Sequence, residues 1–238
     1  FLALAGLLHP LQAIGTALVA WPWLILQDRR WLHMAWLAVP IALLGFSDLR
    51  PFNDLYRQMD AAWLVNVEGF TRQLFIAKWK QSDLTNIAFD ALVLAFAAKA
   101  LPGETRTWCL AALAGLGLGL TANLLLVDWL HLVLPAGLQL WRSHWLAHLL
   151  ANAMVGALLY RDIRNADGVK ALCLSLLFLL VKAGMPWWVW GLFALLYALW
   201  PRLLKSTTPT VARLLGALFT CGMLVILAMY AAGEWLPF

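Results

Sequence analysis

The chain has 238 residues, 63% of them hydrophobic and only 12% charged, with a mean hydropathy of +0.79. Soluble domains run at about 45–50% apolar and about 25% charged, so a water-soluble globule that hides all this surface is excluded and lipid is expected as solvent for much of it. The formal net charge is +5, yet Lys and Arg fall mostly in short stretches between apolar runs, where they act as orientation signals rather than as a nucleic-acid footprint.

Backbone polar groups in lipid must be satisfied within the structure, which leaves helices or closed barrels. Runs such as Ala111–Val127 and Leu214–Ala232 lack the period-2 alternation of a barrel strand, so helices are expected. The expected fold class is all-α: a polytopic transmembrane helical bundle of about eight spans, forming a single domain over residues 1–238. In chain order the spans are predicted at 3–26, 31–47, 84–101, 107–127, 141–160, 169–183, 186–200 and 211–232. The 169–200 stretch has an alternative form, a re-entrant hairpin around Gly184, Met185 and Pro186. The first run begins at Phe1 without a basic flank and is too long for a signal-peptide core, so a preceding part of the protein is expected.

Alternate connections carry Arg29 and Arg30; Lys99 and Arg106; Arg161, Arg164 and Lys170; and Arg202, Lys205 and Arg213. With eight spans all four fall on one side, the cytoplasmic one by the positive-inside rule. Residues 48–83 then lie outside. They mix Asp48, Asp54, Asp60, Glu68 and Asp83 with Arg50, Arg57, Arg72, Lys78 and Lys80, and interleave Trp63, Phe70, Phe75 and Trp79. An amphipathic helix or helix pair on the outer membrane surface is predicted there; the alternative is a solvated linker. Most of the 15 Trp residues cluster near predicted span ends, as an interfacial aromatic belt does. Cys109, Cys173 and Cys221 form no CxxC pair and are expected to be small buried hydrophobes.

Ionisable residues in a span are expensive and mark candidate sites. The richest stretch is Asp128–Asn152, DWLHLVLPAGLQLWRSHWLAHLLAN. His144, His148 and Asn152 recur every four residues and would form one stripe on a helix. Gln139 and Arg142 precede them, and Asp128 and His131 end the previous span. Three readings stand. Arg142, His144 and Gln139 could hold a phosphate or a lipid head group, since a guanidinium matches phosphate oxygens. His144 and His148 could share a metal ion with Asp128 or His131, although the acidic residue of H-E-x-x-H is absent. Or these groups are polar glue between helices. Asp90, about two turns into the third span, must be protonated, paired or facing a cavity; Arg142 and His144 are its plausible partners. His9, Pro10 and Gln12 make a polar, kinked spot in the first span. Asn123 is expected at a helix–helix contact, and Lys182 can reach the interface. Asp60 and Glu68 could serve as acid or base, or be merely solvated. The candidate ligand-binding set is therefore Arg142, His144, Gln139, His148, Asp90, His131 and Asp60, with no metal and no cofactor expected.

Three stretches carry a resemblance: LLHPLQAIG (Leu7–Gly15), FNDLYRQMDAAWLVNVEGFTRQLFIAKW (Phe52–Trp79) and LQLWRSHWLAHLLA (Leu138–Ala151). In this order and spacing they resemble the C-terminal half of large bacterial inner-membrane proteins that are similar to GT-C-type glycosyltransferases, enzymes using polyprenyl-linked sugars. Met59, Asp60, Trp63 and Leu64 match the second motif of that group. Gln139, Trp141, Arg142, Trp145, Leu146 and His148 match the third. Ala61 and Glu68 depart from the second motif and Leu140 from the third. The resemblance implies a lipid-handling module in a bacterial inner membrane that binds a polyprenyl-phosphate or other lipid head group at the outer leaflet, with its catalytic part elsewhere. The alternative is a non-catalytic scaffold or assembly subunit of a larger membrane complex. Membrane lipids, and in the second case other membrane subunits, are the expected partners; nucleic acid is not. A transporter is disfavoured by the few intramembrane charges.

Overall fold

The computed structural model describes residues 9–50 and 52–206. Among them every regular element is helical and no strand is present. The chain divides into two compact units, Phe1–Asn152 and Ala153–Phe238.

In the first unit, α1 (Pro10–Gln27) starts with proline at its first turn, where the missing N–H costs nothing. His9 and Pro10 thus open this helix; the part of the predicted 3–26 span before them lies outside the described residues. Asp28 ends it in an extended conformation, and its carboxylate accepts from the Arg30 N–H to cap a 3-10 stretch, Arg29–Leu37. A short helix, α2 (Ala38–Leu44), follows. The predicted 31–47 span is therefore not one regular helix. Pro40 has no N–H to give to Trp36, so an α-helix running through this stretch would lose a bond.

Residues 48–83, read as an amphipathic helix or helix pair, form less regular helix than that reading expects. One helix forms, α3 (Ala61–Phe70), between 3-10 turns at Phe52–Asp54, Arg72–Leu74 and Ile76–Lys78. Thr71 leaves the helical region, and its hydroxyl returns to the Val67 carbonyl. The segment does not float as a separate layer. Met59 N–H donates to the His131 carbonyl and Val133 N–H to the Arg57 carbonyl, each at 2.9 Å. Met59 and Phe75 bury against Val127 and Ala136, flanked by Leu64, Val67, Leu74 and Val133.

Two longer helices complete the framework: α4 (Gln81–Ala100) and α5 (Glu104–Asn123), which continues as a π-helical stretch, Leu124–Trp129. Pro102 and Gly103, the latter at φ +71°, make the turn between them. α5 packs closely on α1 through glycine. A Cβ at Gly115 would stand 2.6 Å from the Leu18 carbonyl oxygen and 2.8 Å from Val19 Cα. Small residues four apart let two helix backbones approach in this way. After α6 (Val133–Leu138) and a 3-10 turn, Leu140–Arg142, α7 (Ser143–Arg164) begins. Gly15 on α1 and Gly119 on α5 both lie against that turn.

The second unit takes in the rest of α7, then α8 (Gly168–Lys182) and α9 (Trp187–Ser206). α8 and α9 pack together across a short turn with Gly184 at φ +73°. Asp162 is 1% exposed. It accepts from Arg161 at 2.6 Å and from the Tyr197 hydroxyl at 2.8 Å, with Lys170 at 3.9 Å. Arg161 and Lys170, predicted as topology charges, are also tied to this buried carboxylate. Cys109 and Cys173 are free and buried; Cys221 and the predicted 211–232 span lie outside the described residues.

Among the described residues, six predicted spans overlap α-helices over most of their length, the 3–26 span from Pro10 onward. Among the described residues one helix, Glu104–Trp129, is long and apolar enough to cross a membrane, and Leu11–Gln27 is a shorter apolar helix. α4 is diluted by Asp83, Asp90 and Lys99, while α8 has only 15 residues.

Candidate functional site

Asp90 projects from α4 and is completely buried. Opposite it, α7 carries His144 and His148 one turn apart, a spacing that puts both rings on the same face. His144 Nε2 lies 3.1 Å from Asp90 Oδ2, and His148 Nδ1 lies 2.8 Å from Oδ2 and 3.0 Å from Oδ1. Both nitrogens donate to the carboxylate when each ring carries its proton there. These bonds offset the desolvation of a carboxylate with no access to water. The ligand atoms of all three residues lie within 4.8 Å of one another. Asn152, third in the stripe, turns back instead to the His148 carbonyl at 2.8 Å.

His144 also lines a cavity of about 460 Å³. The other walls come from the 72–86 stretch and from the start of α7. Arg72, Lys78 and Lys80 line it together with one carboxylate, Asp83; Trp79, Trp141 and Trp145 supply the aromatic surface; Gln73 and Asn86 complete it. Local bonds hold this rim. Arg72 Nε donates to the Lys78 carbonyl at 2.6 Å, Trp79 Nε1 donates to the Gln73 carbonyl at 2.8 Å, and Lys78 pairs with Glu68. Trp79 stands edge-on to Trp141, with ring centres 5.9 Å apart. Asp128 and Asn123 anchor the whole stretch: Ala77 N–H donates to Asp128 Oδ1 at 2.8 Å, and Asn123 Nδ2 to the Leu74 carbonyl at 2.8 Å.

The structure thus brings together Asp90, His144 and His148 from the sequence set, and leaves the rest apart from them. Arg142 lies over Trp145 and Trp141, at 4.7 and 5.6 Å from the ring centres, and its Nε donates to Gln139 Oε1. Neither Arg142 nor Gln139 lines the cavity. Gln139 instead occupies a left-handed backbone position, φ +51°, that ends α6. His131, also left-handed at φ +52°, contributes its carbonyl to Met59. Asp60 caps α3 by accepting from Trp63 N–H at 2.7 Å. Asp128 is occupied as the anchor above, so the third group beside the two histidines is Asp90 rather than Asp128 or His131. Asn123, expected between helices, holds the rim.

Sequence reasoning missed Arg72, Lys78 and Lys80 as cavity cations. They looked like the polar face of a surface helix, and their only local signal is a run of basic residues around Trp79. It also missed Asp162, which sits among arginines that the positive-inside rule explains by themselves. No family model, no curated protein and no solved structure matches the chain.

Proposed function

We propose that this chain is a multi-pass bacterial inner-membrane protein, a GT-C-like module that binds the phosphate head group of a polyprenyl-type lipid at the outer leaflet. The observation that carries this reading is the cavity, lined by Arg72, Lys80 and a Lys78 that pairs with Glu68, with Asp83 as its one lining carboxylate and tryptophans as its walls. Lys and Arg suit phosphate oxygens. The indole faces suit the first isoprenoid carbons, and a volume of this order is ordinary for a small-ligand site. The binding set moves accordingly, from Arg142 and Gln139 to Arg72, Lys78 and Lys80, with His144 common to both.

Two features support the multi-pass reading. Large apolar side chains face outward, including Leu149, Ile163, Trp187, Trp188 and Leu195, while alanines such as Ala97, Ala111, Ala112, Ala147 and Ala151 are buried. Small residues inside and large ones outside is the pattern of helices solvated by lipid; a water-solvated surface rarely exposes this much apolar area.

The test is binding of polyprenyl phosphate against the matching uncharged polyprenol, with the protein in nanodiscs. The phosphate is expected to bind at least tenfold more tightly, and R72A with K80A together to abolish the difference. Equal binding of both lipids removes the head-group reading. The second reading, a scaffold or assembly subunit, draws on one observation: α3 turns Val65 and Phe70 outward, at 70% and 89% exposure, as an unpartnered contact would.

A further inference from the structure

We infer that Asp90, His144 and His148 form a binding site for a divalent transition-metal ion of the zinc class. The inference stands whether or not the adjoining cavity takes a phosphate.

The donor set is two imidazoles and one carboxylate, which suits zinc and its neighbours better than calcium or magnesium. Three protein ligands leave one coordination position open, as in exchangeable and catalytic sites. Metal–ligand bonds of 2.0–2.1 Å at tetrahedral angles separate the ligand atoms by about 3.3 Å. The observed separations from Asp90 Oδ2 are 3.1 Å to His144 Nε2 and 2.8 Å to His148 Nδ1. The two Asp90–histidine edges therefore have to open by only a few tenths of an ångström, while the two histidine ligand atoms, within 4.8 Å of each other, close toward about 3.3 Å; side-chain rotations make both adjustments.

The proton balance is simple. A histidine that donates to Asp90 carries its proton on the nitrogen facing the carboxylate. To ligate, His144 must present a lone pair at Nε2 with its proton on Nδ1, and His148 a lone pair at Nδ1 with its proton on Nε2. Two neutral rings make this change by tautomerisation, with no net proton release; a charged ring releases one proton. The ion then replaces two hydrogen bonds with three coordinate bonds and neutralises a carboxylate that is wholly buried. Access exists, because His144 stands on the cavity wall and the His148 side chain is 36% exposed.

The test uses the full chain in detergent micelles, stripped with a chelator. Co²⁺ is titrated as the spectroscopic probe, then Zn²⁺ in competition. One equivalent of Co²⁺ is expected, with the intense visible d–d band of low coordination number, displaced by Zn²⁺. H148A and D90N are each expected to weaken binding by more than tenfold, since even outer-shell losses cost about 10–100-fold. K80A on the cavity wall is expected to leave metal uptake unchanged while lowering phosphate-lipid binding, which separates this site from the proposed lipid site. If either triad variant fails to fold, thermal unfolding of the unaltered chain decides: Zn²⁺ raises its midpoint and Mg²⁺ does not. No stoichiometric Co²⁺ uptake, a pale six-coordinate spectrum, or uptake indifferent to both triad substitutions overturns the site and leaves Asp90 as a hydrogen-bonded strut.

Discussion

Asp60, Asp90 and Asp162 are the same side chain in three settings. Asp60 is exposed and accepts one backbone N–H at the start of α3. Asp90 is buried between two imidazoles, and Asp162 is buried against a guanidinium and a phenol. Loss of a helix cap is worth about 1 kcal/mol, so D60A is expected to lower stability by roughly that amount. Breaking a buried ion pair costs about 3–5 kcal/mol. D162A belongs near 3 kcal/mol, because the Arg161 side chain keeps 24% exposure and partial solvation. Thermal unfolding of the two variants in one detergent measures the contrast. If D60A proves as damaging as D162A, Asp60 does more than cap, and its place in the ligand set returns. Part of this was legible in the sequence. The four-residue stripe named His144 and His148, and the depth of Asp90 in an apolar run required a partner. The choice between Arg142 and the histidines was not legible, because it depends on how α4 is rotated against α7. Once Arg142 stacks on Trp141 and Trp145, it is no longer the partner of Asp90.

Helix positions were the most legible feature, for a physical reason. Long apolar runs without period-2 alternation favour helices, and Pro102, Gly103, Gly184 and Pro186 punctuate them. Thus 84–101 became α4 (Gln81–Ala100), and 169–183 became α8 (Gly168–Lys182). Irregular stretches defeated the sequence because tertiary anchors decide them; Asp128 and Asn123 fix residues 74–77 from about 50 positions away. The element-level surprise is the close approach of α5 to α1 and to the turn before α7, signalled by the GLGLG run at 115–119. A Cβ at Gly119 would lie 2.7 Å from the Leu140 carbonyl oxygen and 2.1 Å from Ser143 Oγ, whereas Gly117 has nothing within 4 Å. Overpacking a rigid contact costs about 1–3 kcal/mol. G119A should therefore lower the unfolding midpoint, and because that turn carries Trp141 on the cavity wall, it should weaken ligand binding too. G117A should be neutral or stabilising by up to about 1 kcal/mol, since alanine is the better helix former. A G119A protein as stable as G117A would mean that α5 does not seat against this turn.

At the scale of the whole molecule, the decisive question is which helices cross the bilayer. Length and apolarity alone single out Glu104–Trp129 among the described residues. The multi-pass proposal requires α4 to cross as well, despite Asp83, Asp90 and Lys99. Its 20 residues span about 30 Å, the thickness of the hydrocarbon core. Asp83 and Lys99 stand in its first and last turns, where charges reach the interface. Asp90 is the one charge at depth, and it faces the histidines rather than lipid. The ends of α4 should then lie on opposite sides of the membrane. Thr71, before α4, and Glu104, after it, are both exposed and accept cysteine without loss of packing. In a background with Cys109, Cys173 and Cys221 replaced by serine or alanine, T71C is expected to react with a membrane-impermeant maleimide added to intact cells, and E104C only after permeabilisation. The reverse pattern would keep the crossing and invert the orientation drawn from Arg and Lys. Labelling of both from the same side would show that α4 does not cross; the triad would then belong to a water-facing or interfacial helix pair, and the cavity beside it would have no claim on the outer leaflet.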